Sequence, residues 1–221
     1  MFKHQGMWLP DGEKHFPDWM DRNGEIVAGR GTYQIKKCRE ALGHVKNFRV
    51  AVDVGAHVGF WSIQMHTKFP VVHAFEPVPE FRECFLRNLA PFDPLTSIVL
   101  HDVALGSAPG RAVLRIDPKD SGGTHIVGRV ETGGVEVRTL DSYALEFVDF
   151  LKIDCEGYEL PVLLGAVETL ARCRPTIIVE QKQHKLGANY GIKGVPAVDF
   201  LRERGWKLAR EMGGDYIMVA Q

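Results

Sequence analysis

From about residue 49 onward, apolar positions come in short blocks of two kinds that alternate along the chain. Arg49–Val54, Val71–Phe75, Ser97–Leu100, Asp149–Ile153 and Thr176–Glu180 are short apolar runs, of the length and β-branched character of buried strands. Between or after them, Phe60–His66, Pro79–Leu89, Leu160–Cys173 and Ala197–Arg204 read as helices. Strand and helix alternating in this way predict a parallel sheet covered on both faces. The end of the chain, Trp206–Arg210 and Tyr216–Ala220 around Gly213-Gly214, reads instead as an antiparallel hairpin. The expected fold class is α/β: a doubly wound, mostly parallel sheet closed by a C-terminal antiparallel hairpin.

Two stretches break the alternation. Met7-Trp8-Leu9-Pro10-Asp11-Gly12 and Phe16-Pro17-Asp18-Trp19 mix aromatics with turn residues and follow neither period. They predict a loop or cap ordered only by packing on something else. Tyr33–Leu42 then reads as a helix stopped at Gly43. In the middle, Ala112–Ile116 and Val135–Val137 are strand-like and bracket a glycine-rich loop, Ser121-Gly122-Gly123-Thr124. The expected organisation is an N-terminal cap or lid with its helix over residues 1–45, and one domain over 46–221. A chain of 221 residues has room for one full α/β core and not comfortably for two.

Charge and cysteine usage exclude several classes. Lys+Arg 27 against Asp+Glu 28 leaves a formal charge of -1, so the basic stripe that a nucleic-acid backbone demands is missing. No apolar run approaches the roughly 18 residues that span a bilayer, and Met1–Pro10 lacks the apolar stretch of a signal peptide. Cys38, Cys84, Cys155 and Cys173 are scattered without a C-x-x-C pair. That argues against a zinc site or a disulfide framework and fits a reduced, cytoplasmic setting.

In open α/β sheets ligands bind beyond the carboxyl ends of the strands, and the chemistry-bearing residues cluster at those ends. Asp53-Val54-Gly55-Ala56-His57-Val58-Gly59 follows the first strand; its glycines let backbone approach a ligand, and the helix beyond offers free N–H groups. The spacing is D-x-G-x-x-x-G, which is not the dinucleotide pattern G-x-G-x-x-G. Glu76, followed by Pro77, ends the second strand, where a carboxylate accepts hydrogen bonds from ribose hydroxyls. Asp102-Val103 follows the third strand, where an adenine ring would lie. Asp154, Glu156 and Glu159 follow the fourth strand within six residues. An alcohol barely ionises at neutral pH, so transfer to oxygen needs a positioned base; Asp154 is the first candidate and Glu156 the second, with Glu159 expected to cap or face solvent. Lys152 is expected to point away or to neutralise this acidic edge. Glu180 and His184 follow the fifth strand and complete the candidate catalytic set; one histidine among acids is thin support for a metal, and none is expected.

Taken together, Val52–Ser62, Ala74-Phe75-Glu76-Pro77, Ala104-Leu105-Gly106 and Lys152–Glu159 resemble the FkbM-type methyltransferase family, and Leu140–Tyr143 and Arg174–Glu180 extend the match. The resemblance covers roughly residues 50–180. It implies a class I methyltransferase (Rossmann-like) sheet, S-adenosylmethionine as cofactor, and O-methylation of a sugar or other small-molecule hydroxyl, with amide or peptide N-methylation as the alternative. It further implies that Asp53, Gly55, Ala56, His57 and Gly59 hold the methionine end, that Glu76 with Pro77 holds the ribose, and that Asp102 and Val103 hold the adenine. Asp154 would adjoin both cofactor and acceptor, and Ser121–Thr124 resembles a family loop near the cofactor. The expected partner is a small-molecule or glycan acceptor rather than nucleic acid. Met7–Trp19, outside the match, is expected to fold over the site as a lid. An NAD-dependent oxidoreductase and a noncatalytic nucleoside-binding module share the fold; the glycine spacing speaks against the first, the acids at Asp154 and Glu156 against the second.

Overall fold

In a computed structural model, which describes residues 1–91 and 98–221, the first 45 residues fold into two small hairpins and two helices. These are β1 (Phe2–His4) paired with β2 (Met7–Leu9), α1 (His15–Asn23), β3 (Ile26–Val27) paired with β4 (Arg30–Gly31), and α2 (Ile35–Leu42). The alternating part follows as β5 (Val50–Val54), α3 (Phe60–His66), β6 (Val71–Phe75), α4 (Pro79–Leu89) and β7 (Ile98–His101). The expected start of β7, Ser97, lies outside the described residues. A small second sheet takes the middle: β8 (Ala104–Leu105), β9 (Gly110–Arg115), β10 (His125–Val130) and β11 (Val135–Arg138). The main sheet resumes with β12 (Phe150–Ile153), α5 (Glu159–Leu164), α6 (Val167–Cys173), β13 (Thr176–Glu180), α7 (Gln183–Tyr190), α8 (Pro196–Glu203), β14 (Trp206–Glu211) and β15 (Asp215–Ala220).

The main sheet has seven strands in the order β14-β15-β13-β12-β5-β6-β7. Its five inner and right-hand strands run parallel, and the closing hairpin pairs antiparallel on β13 through β15, as the sequence predicts. Strand order reverses between β5 and β12, which are adjacent in space though α3, β6, α4 and the second sheet separate them in sequence. That reversal opens the crevice in which such sheets bind ligands. Side chains alternate between two apolar layers. Val52, Val54, Leu151 and Ile153 pack with Leu163, Val198 and Leu201 on one face, while Ala51, Val72 and Phe150 pack with Trp61, Met65 and Phe69 on the other.

Three departures from the sequence expectations have local causes. The segment expected as a loop contains α1, because Phe16 and Met20 lie one turn apart and both bury; Pro17 falls in the first turn, where its missing N–H leaves no bond unmade. The helix expected over Leu160–Cys173 is two helices, broken at Gly165-Ala166. A Cβ on Gly165 would lie 2.0 Å from the Gly106 carbonyl oxygen, so this corner packs backbone to backbone against the chain leaving β8 of the second sheet. Finally, residues 183–190, to which the sequence reading assigns no element, form α7, whose apolar signal is limited to one buried residue, Leu186.

Candidate functional site

A cavity of about 440 Å³ opens at the carboxyl ends of β5, β6, β12 and β13, within the size range of small-molecule and cofactor sites. Gly55 makes one wall possible: at φ +75 it turns the chain out of β5, and a Cβ there would meet the Asp154 carbonyl at 2.0 Å. Gly59, at φ +93, starts α3, and a Cβ there would crowd the Phe85 ring at 3.0 Å. Of the expected cofactor residues, Gly55, Ala56, His57, Glu76, Pro77 and Asp154 line the cavity.

The carboxylate of Glu76 is fixed by two backbone donors, His57 N on Oε2 at 2.9 Å and Val78 N on Oε1 at 2.8 Å. Burial pushes its carboxyl up to about 7 against the pull of those N–H groups. His57 donates from Nε2 to Ser121 Oγ at 2.9 Å, and Ser121 in turn donates from both its N–H and its hydroxyl to Glu13. This chain makes His57 the Nε2–H tautomer. Burial, then the Lys152 charge, pushes its ring down to about 3, so the ring is neutral. Glu13 also accepts from Phe16 N at 3.0 Å, so one buried carboxylate clasps the N-terminal segment, the glycine-rich 3-10 turn and, through Ser121, the β5 loop.

At the other end, Asp154, Glu156 and Glu180 bring carboxylate oxygens within 4.8 Å of one another, close enough to share a single cation. Glu156 stands in the left-handed region, at φ 56, followed by Gly157 at φ 108, so the turn after β12 is a strained one. Burial, reinforced by the charges of Asp154 and Glu180, pushes Glu156 up to about 8; burial and Asp154 push Glu180 up to about 7. Asp154 moves the other way. Burial alone would raise it, but the ammonium groups of Lys152, Lys185 and Lys182 and a hydrogen bond with Glu180 hold it below the usual carboxylate range. Within one cluster, then, the lysines favour the ionised form of Asp154 while burial disfavours ionisation of Glu156 and Glu180. Lys185 bonds Glu156 and approaches Glu180 at 3.6 Å, and Lys182 bonds Glu180.

Five expected site residues do not line the cavity. Asp53 is fully buried and its carboxylate is spent on Ser62, which donates at 2.6 Å, and on Lys152 at 3.0 Å. It acts through Lys152, which donates to the carbonyls of Gly55 (2.7 Å) and Val54 (3.2 Å) and so holds the glycine turn in place. Asp102 is exposed, and Val103 packs into the core; at this end the cavity is lined by Ala104 and Leu105 instead. His184 points to solvent from α7, and its neighbour Lys185 faces the cavity. Gly59 serves as the helix start rather than as a wall. Glu159, expected to cap or meet solvent, is wholly buried and braces the turn, accepting from Cys155 N at 3.0 Å, Gly157 N at 2.8 Å and Gln181 Nε2 at 2.8 Å.

Met7–Trp19 is expected over the site as a lid, and Phe16 and Trp19 of that segment line the cavity; Tyr33, Gln34 and Lys37 are lining residues that the sequence reading does not place there. All five come from the N-terminal 45 residues. Phe16 and Tyr33 meet edge to face at 4.7 Å, Trp19 and Tyr33 at 4.6 Å. The i, i+3, i+4 spacing of Phe16, Trp19 and Met20 was the available signal.

A doubly wound sheet with a glycine turn after its first strand, a backbone-anchored carboxylate after its second and an acidic turn after its fourth is the architecture of the class I methyltransferase fold. The sequence profile of the Methyltransferase FkbM domain matches residues 53–208, and the chain belongs to that family. It is a methyltransferase, with S-adenosylmethionine as methyl donor. Methyltransferase sdnD of Sordaria araneosa is 27% identical over 199 residues, which is 72% of this chain and 74% of that protein. Methyltransferase 1 of Beauveria bassiana is 25% identical over 142 residues, 52% of this chain and 57% of that one. A crystal structure of methyltransferase FkbM from Methylobacillus flagellatus superposes with a TM-score of 0.53 at 18% identity, covering 80% of this chain and 44% of that chain; it shares the fold. Among the described residues no helix is long and apolar enough to cross a membrane.

Proposed function

We propose that the protein transfers the methyl group of S-adenosylmethionine to the hydroxyl of a small acceptor, such as a sugar or another small molecule. The observation that carries this reading is the close set of Asp154, Glu156 and Glu180 carboxylates in the same cavity as the glycine turn and Glu76. The cofactor's end of the cavity fits a nucleoside. Gly55 leaves backbone bare where a side chain would collide, and Glu76 is anchored by two N–H donors so that its remaining lone pairs serve ribose hydroxyls. Bound there, the cofactor supplies an electrophilic methyl carbon on sulfur. As the acceptor oxygen is methylated, its proton would pass to the carboxylate cluster, with Asp154 as the proton acceptor. Phe16, Trp19 and Tyr33 form a lid wall that excludes water and gives the acceptor an aromatic face.

Calorimetric titration with S-adenosylhomocysteine, with NAD as control, tests the cofactor half of this reading. Binding of the first alone is expected; binding of NAD alone would send Glu76 to a dehydrogenase. For the lid, a chain carrying Phe16→Ala and Trp19→Ala should lose transfer to acceptor, and unchanged turnover would remove the lid from the mechanism.

A further inference from the structure

The acid cluster invites a cation, since three carboxylates this close repel one another and a divalent ion would relieve them. The chain supplies its own. Lys185 extends from α7 to bond Glu156 and to approach Glu180 at 3.6 Å, and Lys182 bonds Glu180 from the opposite side. The placement of Lys185 is enforced by the way α7 is fastened. Asn189, one turn further along, donates to the Glu156 carbonyl at 2.9 Å, and Tyr190 donates its hydroxyl to the Ile126 carbonyl at 2.7 Å. Tyr190 also packs so tightly on Gly157 that a Cβ there would lie 2.6 Å from its ring. Two ammonium groups thus face three carboxylates, and Glu156 and Glu180 each have a lysine partner.

We propose that Lys185 is the built-in cation of the acceptor site: it fills the place that a divalent metal or a substrate ammonium would take among Asp154, Glu156 and Glu180, so that the site admits an uncharged hydroxyl. An incoming ammonium meets Lys185 and Lys182 with like charge, and inside a bare acid cluster it would keep its proton and hide its lone pair. A hydroxyl meets both partners it needs, Asp154 to take its proton and the Lys185 ammonium to steady the negative charge that proton loss leaves on oxygen until bonding to carbon consumes it. This inference rests on the reading of the cavity as the transfer site, and it is tested separately from it.

The test uses the full chain and Mn2+ as probe, followed by water-proton relaxation. The wild type and Lys185→Arg are expected to show no specific Mn2+ binding up to millimolar concentration. Lys185→Met, which uncovers the cluster, is expected to gain binding tighter by roughly tenfold or more, and adding Glu156→Gln to it should abolish the gain. Lys185→Gln replaces the methionine variant if that one fails to fold, with S-adenosylhomocysteine binding as the check on the fold. Wild-type binding of Mn2+ as tight as that of Lys185→Met would overturn the proposal. So would a folded Lys185→Met that gains nothing, or transfer by the wild type to amines in preference to hydroxyls. If the wild type instead fails to bind S-adenosylhomocysteine, the cofactor reading fails while the Mn2+ comparison stands.

Discussion

The two ends of the cavity are made from different materials. At the β5–β6 end, backbone sets the shape: a left-handed glycine, a helix start and two N–H groups that fix one carboxylate. At the other end, side chains set it. Asp154 and Glu156 follow β12, Glu180 ends β13, Lys185 comes from α7, and Tyr33 and Trp19 come from the first 45 residues. A common ligand can be held by backbone, which any descendant of the fold can present; a variable one needs side chains, which substitutions exchange freely. On the proposed reading, the methyl donor sits at the first end and the acceptor at the second.

The comparison breaks hardest at the strut beneath both ends. Lys152→Met leaves Asp53 as a buried charge with only Ser62 beside it, and chemical denaturation should record a loss of about 3–5 kcal/mol. Asp154→Asn should sharpen the division: transfer of labelled methyl from S-adenosylmethionine falls by roughly 10²–10⁴-fold, while calorimetric affinity for S-adenosylhomocysteine stays within about threefold. Equal losses in both would make Asp154 a cofactor ligand. Glu76→Ala is the converse, and affinity for S-adenosylhomocysteine should weaken by roughly 10–100-fold, the worth of charge-assisted hydrogen bonds.

Acidity provides a graded version of that experiment. The Glu76 carboxyl sits at about 7, above its ordinary value, so it is ionised above that pH and neutral below it. Ribose hydroxyls donate to the ionised form, and affinity for S-adenosylhomocysteine should therefore fall about tenfold as pH drops from about 8 to about 6. Glu76→Ala should flatten the curve; a flat curve in the wild type would place the ribose elsewhere. The smallest effect belongs to His184→Ala, whose ring faces solvent. Stability should stay within about 0.5 kcal/mol and transfer should be unchanged.

What the sequence revealed follows the same division. The β5 and β12 strands, the glycine turn and Glu76 were legible because each is local: a strand of apolar residues, a spacing, an acid at a strand end. Asp53 stood in the motif, but its role was misjudged, since its partner Lys152 lies 99 residues away across a strand pair and no local pattern announces that contact. Asp102 and Val103 sat at the expected strand end, yet the chain turns there into the second sheet, burying one and exposing the other. Lys185 was overlooked in favour of His184 because a one-residue step along a helix rotates a side chain by about 100°, and α7 itself had too few apolar residues to show its phase.

The Glu13 clasp has a consequence for descent. Residues 1–45 precede the stretch that defines the family, 53–208, yet they close the cavity through one carboxylate and a handful of rings. Much of this segment is committed to the core, where Met7, Leu9 and Met20 pack with Val58 and Ile63, and Cys38 and Ala41 pack with Ala51 and Met65. On the proposed reading, the exchangeable part is confined to the rings of Phe16, Trp19 and Tyr33 that face the cavity, and substitutions there that keep Glu13 and Ser121 are expected to alter the acceptor before they alter cofactor affinity.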